Sequence, residues 1–255
     1  MVIFHLNDIN REMFIIFASY FLNMNTKYSS NNHIASVATF SDLVNIDFQG
    51  AINAICWHRK LAGNFEEIVS KLQLKENITE VSAEALSALQ LSQDGQLARE
   101  IILNDLNLLH EFGASPSLNL IKKYERDDEL AFISTDVYSY HVDRSPVSAD
   151  TFLCTYHGAA SEILSNKEAE QKIKIPEIRK KLLELYDGPD DEFDLFLTEN
   201  FFDLHYQEKS DAKPISLGNG HLWRLAVAHP EQKVLPCIHR APIENKDEYR
   251  LLLIC

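Results

Sequence analysis

Two residues two positions apart, His141 and Asp143, carry the first sign of chemistry in this chain. In an extended strand residues i and i+2 project from one face, so the spacing predicts an imidazole and a carboxylate side by side. That pair is half of a metal site. A distant histidine, His239, would complete two histidines and one carboxylate, the facial set that suits non-haem iron(II) and leaves positions open to a co-substrate and to dioxygen. Arg250 follows His239 by eleven residues, and from a strand it can offer its guanidinium to a carboxylate in the same barrel mouth. Plainer readings stand beside these: a surface histidine oriented by a carboxylate at 141 and 143, and a hydrogen-bonded sandwich histidine at 239. The same ligand types also hold zinc or manganese, with the affinity order favouring zinc over iron. His157, His205, His221 and His229 are rival ligands and read as structural or surface histidines.

The elements that must position these residues change in kind along the chain. Up to residue 114 the pattern is mostly helical. Asn64 with Glu67 three later reads as an N-cap pair opening a helix with Phe65, Ile68, Val69 and Leu72 on its apolar side. A second helix is expected over Val81 to Leu91, and the clearest over Gly95 to Phe112, with Leu97, Ile101, Leu108 and Phe112 apolar and Gly113 as its stop. Ala51 to Trp57 reads as a buried strand or helix start. Met13 to Met24 is apolar but too short to span a bilayer, and Asp8 and Glu12 spoil a signal-peptide flank, so a packed segment is expected, with Met24 as a second candidate start. Asn25 to Asn32 reads as a loop.

After Pro116 short β-branched and aromatic runs follow one another as strands would: Leu118 to Tyr124, Leu130 to Thr135, Val137 to Val142, Thr151 to His157, Phe193 to Leu197, Ile215 to Leu217, His221 to Val227, Val234 to His239 and Tyr249 to Ile254. One helix, Pro176 to Tyr186, interrupts them with Pro at its first turn. The acidic stretch Asp187 to Asp194 lacks the ligand spacing and central glycine of a calcium loop and reads as solvated. Helices followed by strands predict an α+β protein, a β-sandwich or jelly roll buttressed by an N-terminal helical layer. The division expected is 1–114, helical, packed on 115–255, the strand-rich unit that carries the site.

Composition sets limits on function. Of 255 residues, 38 are Asp or Glu against 24 Lys or Arg, a net charge of −14. Such a surface repels phosphate backbones and anionic lipid, so neither nucleic acid nor membrane is an expected partner. Cys56, Cys154, Cys237 and Cys255 are scattered, with no C-x-x-C pair, which favours a reducing, cytoplasmic setting over a disulfide framework. Cys154 and Cys237 read as buried small hydrophobes, and Trp57 and Trp223 as packing aromatics.

Three segments, AINAICWHRKL, SYHVDRSPVSADTFLCTYHGAASEIL and CIHRAPIENKDEYRLLLI, resemble a family of uncharacterised bacterial proteins, domain of unknown function 1826. Members of that family typically continue the threonine-tyrosine strand with Gly-Pro-Gly-Thr-Glu-Trp; this chain has Gly158-Ala159-Ala160-Ser161-Glu162-Ile163. More distantly, His141-x-Asp143, His239 and Arg250, in this order, are similar to the 2-oxoglutarate- and iron(II)-dependent dioxygenases, whose fold is a double-stranded β-helix of the cupin kind. That resemblance implies His141, Asp143 and His239 as iron ligands and Arg250 as the partner of the far carboxylate of 2-oxoglutarate. It further implies Tyr156, fifteen residues past His141, as a second contact to that carboxylate. The activity implied is hydroxylation of a small-molecule or protein substrate. The alternative is a cupin-like metal-binding protein without turnover, serving metal homeostasis or regulation, in which Arg250 holds no co-substrate.

Overall fold

The computed structural model describes residues 33–255 and the backbone of the short strand Lys27–Tyr28. The expected packed segment at Met13 to Met24 lies outside the described residues, as does most of the Asn25 to Asn32 stretch, where that strand forms. In chain order β1 (Lys27–Tyr28), β2 (Ile34–Val37), α1 (Phe40–Asn45) and β3 (Ala54–Trp57) come first. Ala54, Ile55 and Cys56 are fully buried, which decides the 51–57 run in favour of a strand.

Capping chemistry fixes the helices that follow. Helix α2 (Phe65–Lys71) starts at Asn64, whose side-chain oxygen accepts the Glu67 N–H at 3.0 Å. The Glu67 carboxylate does not turn back to Asn64; it accepts the Ser92 N–H at 2.9 Å and Lys71 at 2.8 Å. After β4 (Ile78–Glu80), helix α3 (Ala83–Ser87) is shorter than the 81–91 helix expected. Ser92 ends that stretch by capping a new helix, α4 (Gln93–Phe112), where its hydroxyl accepts the Gly95 N–H at 3.1 Å. Gly113, at φ 96°, closes α4 in the left-handed conformation that only glycine adopts freely. The face of α4 turned to the protein carries Ala98, Ile102, Asp105 and Leu109, while Leu97 and Phe112 lie at its exposed edge.

The second half contains β5 (Ser117–Ile121), β6 (Tyr140–His141), β7 (Asp150–His157), β8 (Glu162–Leu164), β9 (Ala169–Gln171), α5 (Pro176–Leu185), α6 (Phe193–Glu199), β10 (His205–Glu208), β11 (Ile215–Ser216), β12 (Leu222–Ala226), β13 (Ile238–Arg240) and β14 (Arg250–Ile254). Two expected strands are corrected. Residues 130–135 form turns whose Leu130, Phe132 and Ile133 pack against Leu182 and Phe202. Phe193 to Leu197 is the helix α6, because Phe193 and Leu197, one helical turn apart, bury into that same cluster. A short apolar run fits either period, and here the contacts of a helix win.

The result is an α+β protein with two mostly antiparallel sheets; β2 and β3 form a parallel pair. The larger sheet runs β1-β2-β3-β12-β7-β14-β5-β4 and the smaller β11-β8-β13-β6-β10-β9. The 1–114 stretch is therefore more than a helical layer, since it supplies β2, β3 and β4 to the larger sheet. Alternation along β7 divides the interior in two. Phe152, Cys154 and Tyr156 face the helices with Leu251 and Leu253, while Leu153 joins Ile163, Trp223, Cys237 and Leu252 in the other core cluster. No helix among the described residues is long and apolar enough to cross a membrane.

Candidate metal centre

Three strands of the smaller sheet place three imidazoles in a row. His141 on β6 pairs in register with His239 on β13 and, on its other side, with His205 on β10. Directly opposed residues of antiparallel strands share a face, so all three rings point the same way. The pairing continues past β6: the Val142 N–H donates to the Leu204 carbonyl at 3.1 Å, and the Asp143 carbonyl accepts the Ala228 N–H at 2.8 Å. Asp143 is thus held extended, two residues on from His141, with its side chain on the same face.

Backbone carbonyls set the two ligand tautomers. Nδ1 of His141 lies 2.7 Å from the Ser139 carbonyl and Nδ1 of His239 lies 3.2 Å from the Cys237 carbonyl. A carbonyl can only accept, so both Nδ1 atoms carry the proton and both Nε2 lone pairs are left for a metal. The two rings stand 4.4 Å apart between centroids, and His239 Nε2 is 3.7 Å from Asp143 Oδ2. One ligand atom from each of His141, Asp143 and His239 lies within 4.8 Å of the others. Metal–ligand bonds of about 2.1 Å put cis octahedral donors about 3.0 Å apart and tetrahedral ones about 3.4 Å apart. The triad reaches either geometry by small side-chain movements, and it fits iron(II) and zinc(II) alike.

Electrostatics prepares the donors. Burial, followed by the neighbouring His239, lowers the pKa of His141 to about 4, so its ring is neutral at physiological pH. Burial works against ionisation of Asp143, but the two imidazoles and a hydrogen bond donated by Thr151 Oγ1 outweigh it and bring its pKa below the usual aspartate value. His205, through burial and the charge fields of His141 and Lys172, falls to about 3. Folded pKa values below the unfolded value of about 6.5 mean that the unfolded chain takes up protons which the native protein refuses. These two histidines therefore cost no stability above pH 6.5 and progressively more as pH falls from 6.5 toward 4. Urea titrations of metal-free protein should show a His205→Gln variant losing less stability than wild type between pH 7 and 4.5; parallel losses would contradict the assignment.

Arg250 sits on the same side of the larger sheet as the space between the sheets. It is 2% exposed. Its Nη2 donates to Thr155 Oγ1 at 3.0 Å and Ser161 Oγ at 2.8 Å, and its Nη1 to the Tyr124 hydroxyl at 3.4 Å. Nε is buried without a hydrogen-bond partner among the described residues, and no carboxylate among them pairs with the guanidinium. Ser161 leads into β8, whose Ile163 pairs with His239, so the Arg250–Ser161 bond ties the arginine to the strand beside the triad. Gly158 allows this close approach. It has φ +85°, and a Cβ there would lie 2.9 Å from the Arg250 Cα.

Tyr156 is not brought to Arg250, which corrects the expectation for it. Its hydroxyl donates to Asp105 Oδ2 at 2.7 Å on the helical side of the larger sheet, where Asp105 also pairs with Arg59 at 2.6 Å. The residue one position earlier, Thr155, faces Arg250. Tyr124, Thr151, Thr155 and Ser161 carry no spacing signal in the sequence, and only the β7 alternation, counted from Asp143's partner Thr151, points to Thr155. The other histidines lie elsewhere: His157 is 3.5 Å from Glu248, His221 accepts the Arg59 N–H, and His229 accepts the Glu231 N–H. Cys154 and Cys237 are buried, and burial raises the Cys154 thiol to about 12.

No protein-family profile, curated protein or solved structure matches this chain.

Proposed function

We infer that this protein is a 2-oxoglutarate- and iron(II)-dependent dioxygenase, with a double-stranded β-helix as its core. The observation that carries the reading is Arg250. A guanidinium whose hydrogen bonds all go to neutral hydroxyls, with Glu244 acting on it only as a more distant charge, is costly to bury, and a fork-shaped donor of this kind matches a carboxylate. A metal triad in the same inter-sheet region supplies the second anchor that a 2-oxo dicarboxylate needs. Strand connectivity supports the fold. β5, β6, β7 and β8 alternate between the sheets, and β11, β12, β13 and β14 alternate again; neighbours run β12-β7-β14-β5 in one sheet and β11-β8-β13-β6 in the other. The three segments that resemble the domain of unknown function 1826 family contain β3, the His141–Ser161 stretch and the His239–Arg250 stretch, and the proposal extends to kinship with that family on those residues.

In this reading His141, Asp143 and His239 hold the metal. Their tautomers and charge are set beforehand by Ser139, Cys237 and Thr151. Arg250 clamps the far carboxylate of 2-oxoglutarate, with Thr155, Ser161 and Tyr124 fixing the plane of the fork. When bound, iron(II) with 2-oxoglutarate and dioxygen supplies oxidative decarboxylation of the co-substrate coupled to hydroxylation of a C–H bond. The substrate is a small molecule or a protein side chain. Anaerobic addition of iron(II) and then 2-oxoglutarate to metal-free protein should develop the weak visible charge-transfer band of the chelate. Tight zinc binding without that band would favour the cupin-like metal-binding reading instead.

A further inference from the structure

We propose that His205 is a substrate-side hydrogen-bond donor, and that the cleft it lines takes a small neutral molecule with an apolar body and a carbonyl oxygen. Beside the triad lies a cleft of about 510 Å³, bounded by His141, Asp143, Val137, Phe201, Leu204 and His205 among others, a size suited to a small organic ligand.

The hydrogen-bond chain behind His205 gives it a tautomer opposite to that of its two row-mates. Lys172 Nζ donates to Ser139 Oγ at 2.7 Å and to the Ser134 carbonyl at 2.9 Å. Ser139 Oγ lies 3.2 Å from His205 Nδ1. The ammonium can only donate, and the serine hydroxyl has no acceptor among the described residues other than the imidazole, so its hydrogen goes to Nδ1 and the His205 proton sits on Nε2. His141 and His239 offer lone pairs, whereas His205 offers an N–H. The residue is 5% exposed, and the one hydrogen bond its ring makes among the described residues is through Nδ1, which leaves Nε2 for the cleft. It faces the cleft as a donor awaiting an acceptor.

The rest of the lining says what carries that acceptor. Phe201 stands at the cleft with 59% of its surface exposed, on a backbone at φ 59° and ψ 10°. A bulky side chain in the left-handed region is strained and persists where surrounding structure imposes it. Val137 and Leu204 extend the apolar wall. Asp136 and Asp143 line the same space, and the one arginine there, Arg144, is paired with Asp203. An anionic head group meets carboxylates and no free cation, and an ammonium has no acceptor for the His205 N–H, so the acceptor that suits this cleft is a neutral carbonyl such as an amide.

The inference rests on the dioxygenase reading only for the idea that the held molecule is the one oxidised; binding in the cleft needs no metal. Phenylacetamide is a suitable probe, followed by saturation-transfer NMR on metal-free and manganese(II)-loaded protein. Binding should be at least about tenfold weaker in His205→Phe and retained in His205→Gln, as expected for one lost hydrogen bond. Phenylacetate and phenethylamine should bind more weakly than the amide. Manganese should relax the bound probe in wild type, and His239→Ala, which alters the triad outside the cleft lining, should remove that relaxation without removing binding. Binding without relaxation would count against the metal site and leave the His205 cleft standing. Equal binding by His205→Phe, a preference for phenylacetate, or no binding to wild type would overturn the proposal. Imidazole ¹⁵N shifts of wild type give a test free of any variant: His205 should appear as the Nε2–H tautomer and His141 and His239 as Nδ1–H, and an Nδ1–H His205 would also overturn it.

Discussion

His239→Ala should weaken metal binding by more than about 100-fold, since even the residues that merely orient a metal ligand are worth 10–100-fold. His239 is 8% exposed and on β13, where its Nδ1 is committed to the Cys237 carbonyl. No rotation of a neighbour can replace it, because His205 on the far strand of the row is tied to Ser139 through its own Nδ1. The loss should be visible by equilibrium dialysis of iron(II) and of zinc(II), and the metal-dependent rise in unfolding temperature should vanish with it. A variant that still binds one equivalent tightly would show that the triad is not the site.

Arg250→Met should lower the affinity for 2-oxoglutarate by roughly 100-fold or more, in line with the 2–5 kcal/mol lost when a buried hydrogen-bonded charge pair is truncated. Metal affinity should not change. The contrast with Arg59, whose side chain is 8% exposed, makes the argument. Arg59 meets Asp105 at 2.6 Å, donates to the Gly220 carbonyl at 3.0 Å and lies over the Trp57 ring, while Tyr156 donates to the same Asp105; Asp105→Ala leaves that charge unpaired and is expected to cost about 3–5 kcal/mol of stability. Arg250 has no carboxylate in direct contact among the described residues, only the longer-range field of Glu244. Replacing it with an apolar side chain of similar length removes a buried charge that no carboxylate contacts directly, so the metal-free variant should unfold in urea close to the wild-type midpoint or above it. A marked drop in the midpoint, with 2-oxoglutarate binding intact, would make Arg250 a structural residue.

The parts of the molecule legible in the sequence were those whose signal is local. The Asn64 cap, the Gly113 stop and Pro176 at the start of α5 each follow from the conformational limits of one residue. His141-x-Asp143 is readable because strand alternation needs no tertiary information. What escaped depends on partners far along the chain. β10, with the polar sequence His205–Glu208, is a strand because β6 and β9 flank it, and that pairing is what brings His205 beside His141. Tyr156 was expected where Thr155 stands, an error of one residue that reverses the face of the sheet; β7 and β14 also shift register between Leu251 and Leu252. Phe193 to Leu197 has too few residues to distinguish periods of 2 and 3.6.

The row of histidines also fixes when in folding the centre comes into being. β6 is two residues long, and its neighbours β10 and β13 come from far downstream, with α5 and α6 folded between. Contacts of such sequence separation are entropically expensive to close and form late. A nascent or partly folded chain therefore holds His141 without His239, and has no facial set to offer. On the proposed metal-binding reading, loading is a property of the finished sheet, and an ion held there would act as a lock on the completed protein and not as a template for its assembly.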